Sequence, residues 1–191
     1  MIISTGVGSY FKAGNSKAVT TNRVRANPGG TGWIKSASNY VNSALAKKEA
    51  EAEGFMEAIF LDAGEQKYFE ESSSCNLFFL LKDDTLVTPS LEDTILPGIT
   101  RKSILQIARD RGLKIEERKI SVEEVFSEAK EVFASGTAAG VTFIESITHK
   151  GLKVVFGNGR IGEFTSYALE TLKGIQYGIV EDRWGWMVDI D

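Results

Sequence analysis

The chain has 191 residues, which is enough for one domain with a sizeable core. Its 22 Lys and Arg against 26 Asp and Glu give a net charge of -4, which excludes the basic surface of a nucleic-acid-binding protein. A single cysteine, Cys75, excludes an intrachain disulfide, and a single histidine, His149, excludes a multi-histidine metal site. We therefore expect no metal in the functional site. His149 is also the only candidate base for a nucleophile and histidine triad.

The apolar runs are short. The longest, such as residues 77–81, fall far below the roughly 20 residues that a membrane-spanning helix needs. Residues 1–8 lack the basic and apolar regions of a secretory signal and the Arg-rich pattern of a transit peptide. We therefore expect no membrane association and a cytoplasmic location, unless a segment upstream of Met1 carries an organellar address.

In the first half of the chain, residues 1–38 are rich in Gly, Ser, Thr and Asn and carry only short strand-like pieces. Helical spacing begins at Asn39, and Gly54 ends the predicted helix. The side expected to face inward carries Val41, Ala44, Leu45 and Ala52. Strands are predicted next at residues 58–61, 67–72, 76–82 and 85–88.

In the second half, a helix is predicted over residues 100–111, with Gly112 as its terminator. Ser121 and Glu124 have the spacing of a capping box, which predicts a third helix from about Val122. Strands follow at residues 131–134, 141–147 and 152–156, and a last helix at 163–173. Because strands and helices alternate irregularly, the predicted fold is one α/β domain with a mixed sheet or pseudo-barrel and surrounding helices.

Lys35 has the most unusual surroundings of any lysine, because residues 29–34 and 36–40 contain no other charge. A neutral setting can desolvate an amine and lower its pKa, and the free amine can then attack carbonyl groups and form Schiff bases. The alternative interpretation is a lysine in a surface loop. Spacing alone favours this alternative.

Three further segments could contact a ligand. Glu70 and Glu71 precede the hydroxyl-rich stretch 72–74, although the pattern alone favours a strand edge followed by a hydroxyl-rich turn. Residues 98–101 at a helix start and 135–138 after a strand would expose backbone N–H groups that bind phosphate oxygens. An amine, a carboxylate and two such loops are together what pyridoxal 5'-phosphate (PLP) requires, but the order of the segments does not say that they meet.

Seven segments carry a resemblance that covers nearly the whole chain from Gly6. They are GVGSYFKAG, GGTGWIKSASNY, FLDAGEQKYFEESSSCN, TPSLEDTILPGITRKSI, EERKIS, EVFASGTAA and IQYGIVEDRWGWMVDI. They resemble the large, cofactor-binding domain of branched-chain amino acid aminotransferases, which are class IV (fold type IV) PLP enzymes. The IQYG tail followed by GW is similar to the eukaryotic-type branched-chain group rather than to its D-amino acid or lyase relatives.

The resemblance implies roles around the cofactor ring. It makes Lys35 the catalytic, Schiff-base lysine and Tyr40 the partner of the cofactor's phenolic oxygen. It makes Glu71 the carboxylate that pairs with the pyridine nitrogen. Arg25 matches a family arginine near the cofactor.

It also implies roles around the phosphate and the substrate. Ile99 and Thr100 would donate backbone N–H groups to the phosphate. The Thr100 hydroxyl would also bind the phosphate, and Thr137 would contact it from the other loop. Ser74 and Ala138 fall where the family holds the substrate carboxylate. The implied activity is PLP-dependent transamination between Leu, Ile or Val and 2-oxoglutarate, in a homodimer with apolar surface near the site.

The resemblance leaves alternatives open. The stretch 72–74 also resembles that of D-amino acid aminotransferases, and aminodeoxychorismate lyases share the fold. Residues 1–191 correspond to the large domain only, and the family's smaller N-terminal domain, which supplies a phosphate-binding arginine and much of the side-chain pocket, has no counterpart in them. We therefore expect impaired activity, or a non-catalytic truncated product, unless a partner polypeptide supplies that half.

Overall fold

The computed structural model describes residues 14–189, so most of the GVGSYFKAG segment lies outside the described residues. Within them the chain forms ten strands and four α-helices. The strands are β1 (Lys17–Thr20), β2 (Glu57–Leu61), β3 (Phe69–Ser72), β4 (Asn76–Leu81), β5 (Thr85–Thr88), β6 (Lys114–Glu117), β7 (Ala129–Gly136), β8 (Gly140–Phe143), β9 (Ser146–His149) and β10 (Leu152–Val155). The helices are α1 (Tyr40–Ala52), α2 (Ile99–Asp110), α3 (Val122–Glu128) and α4 (Glu163–Gln176).

The strands form one mixed, curled sheet with the order β10-β9-β1-β2-β3-β4-β5-β6. The sheet branches at β4, because β7 pairs with β4 and β8 pairs with β7. The pairs β1/β2, β1/β9 and β5/β6 are parallel, and the remaining pairs are antiparallel. This architecture confirms the predicted mixed α/β fold.

The central strand β4 is buried on both faces. Leu77 and Phe79 belong to one hydrophobic cluster, whereas Phe78 and Leu80 belong to the other, because successive side chains point to opposite faces of a strand. Phe78 stacks on Phe133 of β7, with 4.9 Å between ring centroids. A strand covered on both faces reads as a continuous apolar run, which explains why its sequence shows no alternation.

The predicted inward face of α1 is wrong. Val41 and Leu45 are 61% and 44% exposed, and Ala44 and Ala52 are also exposed. The helix instead buries Ser43, Ala46 and Ala50. The two alanines pack on Ala58 and Phe60 of β2, since small side chains spaced four residues apart allow a helix to lie close to a sheet. The larger apolar residues are therefore left on the outer face.

Two strand predictions also need correction. Residues 141–147 form parts of two strands, because β8 pairs with β7 whereas β9 pairs with β1. Strand β6 was not predicted, because its sequence KIEE is charged and lies at the edge of the sheet. The two glycine terminators are confirmed: Gly54 and Gly112 have φ of 86° and 78°, which favours glycine at a helix end.

The start of α3 confirms the predicted cap, because Ser121 Oγ accepts a hydrogen bond of 3.1 Å from the backbone N–H of Glu124. The Glu124 carboxylate pairs with Arg118. None of the helices within residues 14–189 is long and apolar enough to cross a lipid bilayer.

The start of α4 is held by a buried carboxylate from β7. Glu131 accepts hydrogen bonds from the backbone N–H groups of Phe164 and Thr165, at 3.2 and 2.9 Å, and from Thr165 Oγ1 at 2.7 Å. A Cβ atom at Gly162 would overlap the Glu131 side chain. Since the first N–H groups of a helix have no partner within it, this carboxylate replaces a local cap.

We predict that Glu131→Ala lowers the free energy of unfolding by about 2 kcal/mol, because it leaves buried N–H groups of α4 without an acceptor. Urea unfolding followed by circular dichroism measures the change. Glu128→Ala, which removes an exposed carboxylate nearby, is the control. Equal stability of the two variants would show that the carboxylate does not anchor α4.

Candidate active site

One cavity of about 780 Å³ brings together eight of the nine residues to which the family resemblance assigned a role. They are Lys35, Tyr40, Glu71, Ser74, Ile99, Thr100, Thr137 and Ala138. The ninth, Arg25, lies behind the wall and forms an ion pair with Glu71. The lining comes from the loop before α1, the turn between β3 and β4, the loop before α2 and the turn between β7 and β8.

Lys35 contacts Tyr40 from a loop that hydrogen bonds of Asn39 hold in place. Its Nζ donates a hydrogen bond of 3.0 Å to Tyr40 Oη, and it lies 5.1 Å from the centre of the Tyr40 ring. The Asn39 side-chain amide stabilises the loop by donating hydrogen bonds of 2.6 and 2.8 Å to the carbonyl oxygens of Thr31 and Ile34. Sequence reasoning did not identify this role of Asn39.

Lys35 lies exposed in a loop, as the alternative interpretation has it, and the desolvation that a neutral setting can cause is not observed. The side chain is exposed, because neutral neighbours in the sequence do not themselves bury an amine. Trp33 and Ile34, on the same loop, are also exposed, at 51% and 42%. The loop therefore presents the amine at the open side of the cavity.

Glu71 is buried at the centre of the sheet and is not at a strand edge, because β3 pairs with both β2 and β4. The Arg25 guanidinium contacts one of its carboxylate oxygens, and Asn76 Nδ2 lies 3.3 Å from the other. Burial raises the pKa of Glu71 to about 8, against the positive charge of Arg25 and the backbone N–H of Leu96, which both lower it. The carboxylate thus depends on its partners to be ionised near neutral pH.

The neighbouring Glu70 points to the opposite side of the strand. It accepts a hydrogen bond of 2.7 Å from Thr94 Oγ1 and lines a different, smaller cavity. Burial raises its pKa as well. Because side chains alternate along a strand, only Glu71 of the two can face the larger cavity.

Asn76 links Glu71 to the loop before α2, and sequence reasoning missed this role. Besides Glu71, its Nδ2 donates to the Leu96 carbonyl at 2.9 Å. A Cβ atom at Gly98 would collide with the Asn76 side chain, which explains the glycine. The only sequence signal for this contact was that Asn76 follows Glu71 by five residues, across a tight turn that pairs the two residues on neighbouring strands.

The start of α2 offers unpaired backbone N–H groups to the cavity. Gly98 precedes the helix and no side chain within residues 14–189 caps it, so the first N–H groups at Ile99 and Thr100 are available to an anion. The turn carrying Thr137 and Ala138 lines the same cavity and is exposed. Together they can bind a phosphate or a carboxylate.

Cys75 also lines the cavity, but its surroundings disfavour a nucleophilic thiolate. Its side chain is buried, and burial raises the pKa of the thiol to about 12, so the thiolate is scarcely populated near neutral pH. Among residues 14–189, no group of three or more His, Cys, Asp or Glu side chains could hold a metal ion.

Residues 8–147 match the family of class IV aminotransferases, and the chain belongs to this family. It is 46% identical to branched-chain amino acid aminotransferase 1, mitochondrial, of Humulus lupulus, over 97% of this chain and 47% of that protein. The crystal structure of the Escherichia coli branched-chain amino acid aminotransferase superposes with a TM-score of 0.86 at 34% identity, and covers 98% of this chain and 60% of that chain.

A second solved structure is that of the T.th. branched-chain amino acid aminotransferase complexed with N-(5'-phosphopyridoxyl)-L-glutamate. It has a TM-score of 0.81 and 32% identity, and covers 93% of this chain and 57% of that chain. The chain spans about half the length of the curated relatives it matches, with 47% and 55% of two of them covered.

The raised pKa of Glu71 predicts a pH dependence of stability. Since this pKa is raised from 4.5 to about 8, the folded chain keeps a proton that the unfolded chain releases between these pH values. The free energy of unfolding should therefore fall with rising pH in this window, by up to about 1.4 kcal/mol per pH unit, and Glu71→Gln should remove this part of the slope. Urea unfolding at a series of pH values measures it.

In Arg25→Met, the pH range over which the free energy of unfolding falls should extend to higher pH. The substitution removes the positive charge that favours the ionised form of Glu71. Identical pH profiles for the wild type and Glu71→Gln would contradict the assignment of the proton to Glu71.

Proposed function

We propose that this cavity binds PLP through Lys35 and that the chain serves in the transamination of branched-chain L-amino acids with 2-oxoglutarate. One observation carries the proposal: a primary amine, a buried carboxylate and a helix start line a single cavity, although they are far apart in the sequence. The membership of the chain in the class IV aminotransferase family supports the proposal.

The side chains present fit this cofactor. Within the described residues, Lys35 is the one lysine and Glu71 the one carboxylate of the lining, which suits an aldehyde and a ring nitrogen. The start of α2 and the turn at Thr137 suit a phosphate. Ser135 also belongs to the lining. Its buried Oγ has no hydrogen-bond partner among residues 14–189 and can form a hydrogen bond with a polar atom of a ligand. The cavity volume is within the usual range for a small ligand.

Bound PLP would supply an aldehyde that condenses with amines and a ring that accepts electrons. The side chains of the chain would do the rest. Glu71 would bind the ring nitrogen, and the positive charge of Arg25 favours the ionised form of its carboxyl group. Lys35 would take up and return the α-proton of the substrate at its Nζ, which Tyr40 Oη orients. Ile99 and Thr100 would bind the phosphate.

The substrate assignment rests on the relatives and on the lining. Ser74 and Ala138, on two facing turns of the lining, would bind the α-carboxylate. Trp33, Leu96 and Ala139 give the remaining wall an apolar character that suits a branched aliphatic side chain. The matched relatives are named branched-chain aminotransferases, which supports the same assignment.

We further propose that the 191 residues act as the cofactor-binding large domain, in a homodimer or with a partner polypeptide. Trp33 and Ile99 are 51% and 76% exposed although they line the cavity, and Val41 and Leu45 of α1 are exposed as well. Large exposed apolar side chains of this kind are typical of surfaces that another chain or domain covers.

We predict that the chain mixed with PLP develops a visible absorption band, that borohydride fixes the cofactor to the Lys35 peptide, and that Lys35→Ala abolishes both. The reason is that, among the described residues, Lys35 is the one lysine that lines the cavity. Spectroscopy and peptide mass spectrometry measure this. Lys48→Ala, an exposed lysine of α1, is the control. An unchanged band in Lys35→Ala, or attachment to another lysine, would refute the role.

We predict that the PLP-loaded chain converts L-leucine with 2-oxoglutarate at least about tenfold faster than D-alanine, because an apolar lining discriminates by burial of the aliphatic side chain. Coupled assays of glutamate formation measure the rates. Faster reaction of D-alanine would favour a D-amino acid aminotransferase. Bound PLP without turnover of either substrate would favour a non-catalytic product.

A further inference from the structure

Behind the cavity wall lies a buried carboxyl group that the proposed function does not use. Glu57, the first residue of β2, is 0% exposed and is not part of the lining. Its Oε1 accepts hydrogen bonds from Ser73 Oγ, at 2.5 Å, and from the backbone N–H of Ala58, at 2.9 Å. Its Oε2 is buried and has no hydrogen-bond partner among the described residues.

The Ser73 contact joins Glu57 to the turn between β3 and β4. The backbone N–H of Ser73 also donates to the Ala58 carbonyl, at 3.1 Å. Inside the turn, the backbone N–H of Cys75 donates to Ser72 Oγ at 3.2 Å. The next two residues of the turn, Ser74 and Cys75, line the cavity. Ser73 is thus the anchored side of a turn whose other side faces the ligand.

We propose that Glu57 is a positioning residue: through Ser73 it fixes the turn at residues 72–75 so that Ser74 faces the carboxylate of an amino-acid substrate. This inference rests on the proposed function for the identity of the ligand. The fixing of the turn itself rests only on the contacts of Glu57 and Ser73.

The surroundings of Glu57 explain why an acidic residue is kept there. Burial raises its pKa, and the charge of the half-buried Lys47 on α1 and the Ser73 hydroxyl lower it. The Cys75 thiol is the titratable neighbour on the turn, and Glu57 raises its pKa. An apolar residue would fill the space but leave the Ser73 hydroxyl, which is buried, without its acceptor.

The chain contains a built-in reporter for this turn, because Cys75 is its single cysteine. We expect Glu57→Leu and Ser73→Ala to increase the rate at which a thiol reagent labels Cys75 in the folded chain by roughly tenfold, since the turn opens more often. Glu57→Gln keeps an oxygen acceptor and should label at the wild-type rate. Thr94→Ala, which removes the hydroxyl of the Glu70 pair, is the matched control and should also leave the rate unchanged.

The second measurement is the affinity for a carboxylate probe, 4-methylvaleric acid, by calorimetry on the chain with and without PLP. Glu57→Leu and Ser73→Ala should weaken binding of the probe by roughly tenfold and leave the affinity for PLP unchanged. Glu57→Gln should bind the probe with the wild-type affinity. In the active enzyme the same variants should raise KM for the amino acid more than they lower kcat.

Unchanged labelling and probe binding in Glu57→Leu and Ser73→Ala would overturn the inference. Equal loss of PLP and probe affinity would also overturn it, because it would indicate a general loss of structure. Failure of the wild-type chain to bind PLP would overturn the proposed function instead. In that case the labelling rates and the probe affinity of the cofactor-free chain still decide the role of Glu57.

Discussion

The buried ion pair between Arg25 and Glu71 is the interaction on which the site depends. A carboxylate at the centre of a sheet is costly to ionise, and an arginine in contact offsets part of that cost. The same guanidinium donates to the Gly32 carbonyl at 2.8 Å, so it also closes the loop that ends at Lys35. One side chain therefore ties the strand that carries the carboxylate to the loop that carries the amine.

A second link sets the position of the helix start. Asn76 contacts both Glu71 and the Leu96 carbonyl, and the absence of a side chain at Gly98 lets this loop approach closely. The start of α2 is thus held relative to the carboxylate by one amide. The cavity is formed by loops, but Arg25 joins the loop before α1 to β3 and Asn76 of β4 is bonded to the loop before α2, and both strands are buried on both faces.

The chemistry of the site was easier to predict from the sequence than its surroundings were. Lys35 and Glu71 could be proposed from charge patterns and from family resemblance, because residue types limit what a side chain can do. The inner face of α1 was predicted wrongly, and the neutral neighbours of Lys35 in the sequence do not bury it, since burial depends on distant segments. Residues such as Asn39 and Asn76 were missed because their hydrogen bonds to other loops leave no periodic signal.

The sequence by itself determined the irregular α/β class, the ends of α1 and α2 at Gly54 and Gly112, the exclusion of an intrachain disulfide and the candidate amine. These properties follow from local backbone preferences and from composition. Only the tertiary structure decided that eight residues from four separate segments line one cavity, that Glu71 rather than Glu70 faces it, and that Arg25 contacts Glu71. Strand pairing and burial act between residues far apart in the chain, and no local pattern encodes them.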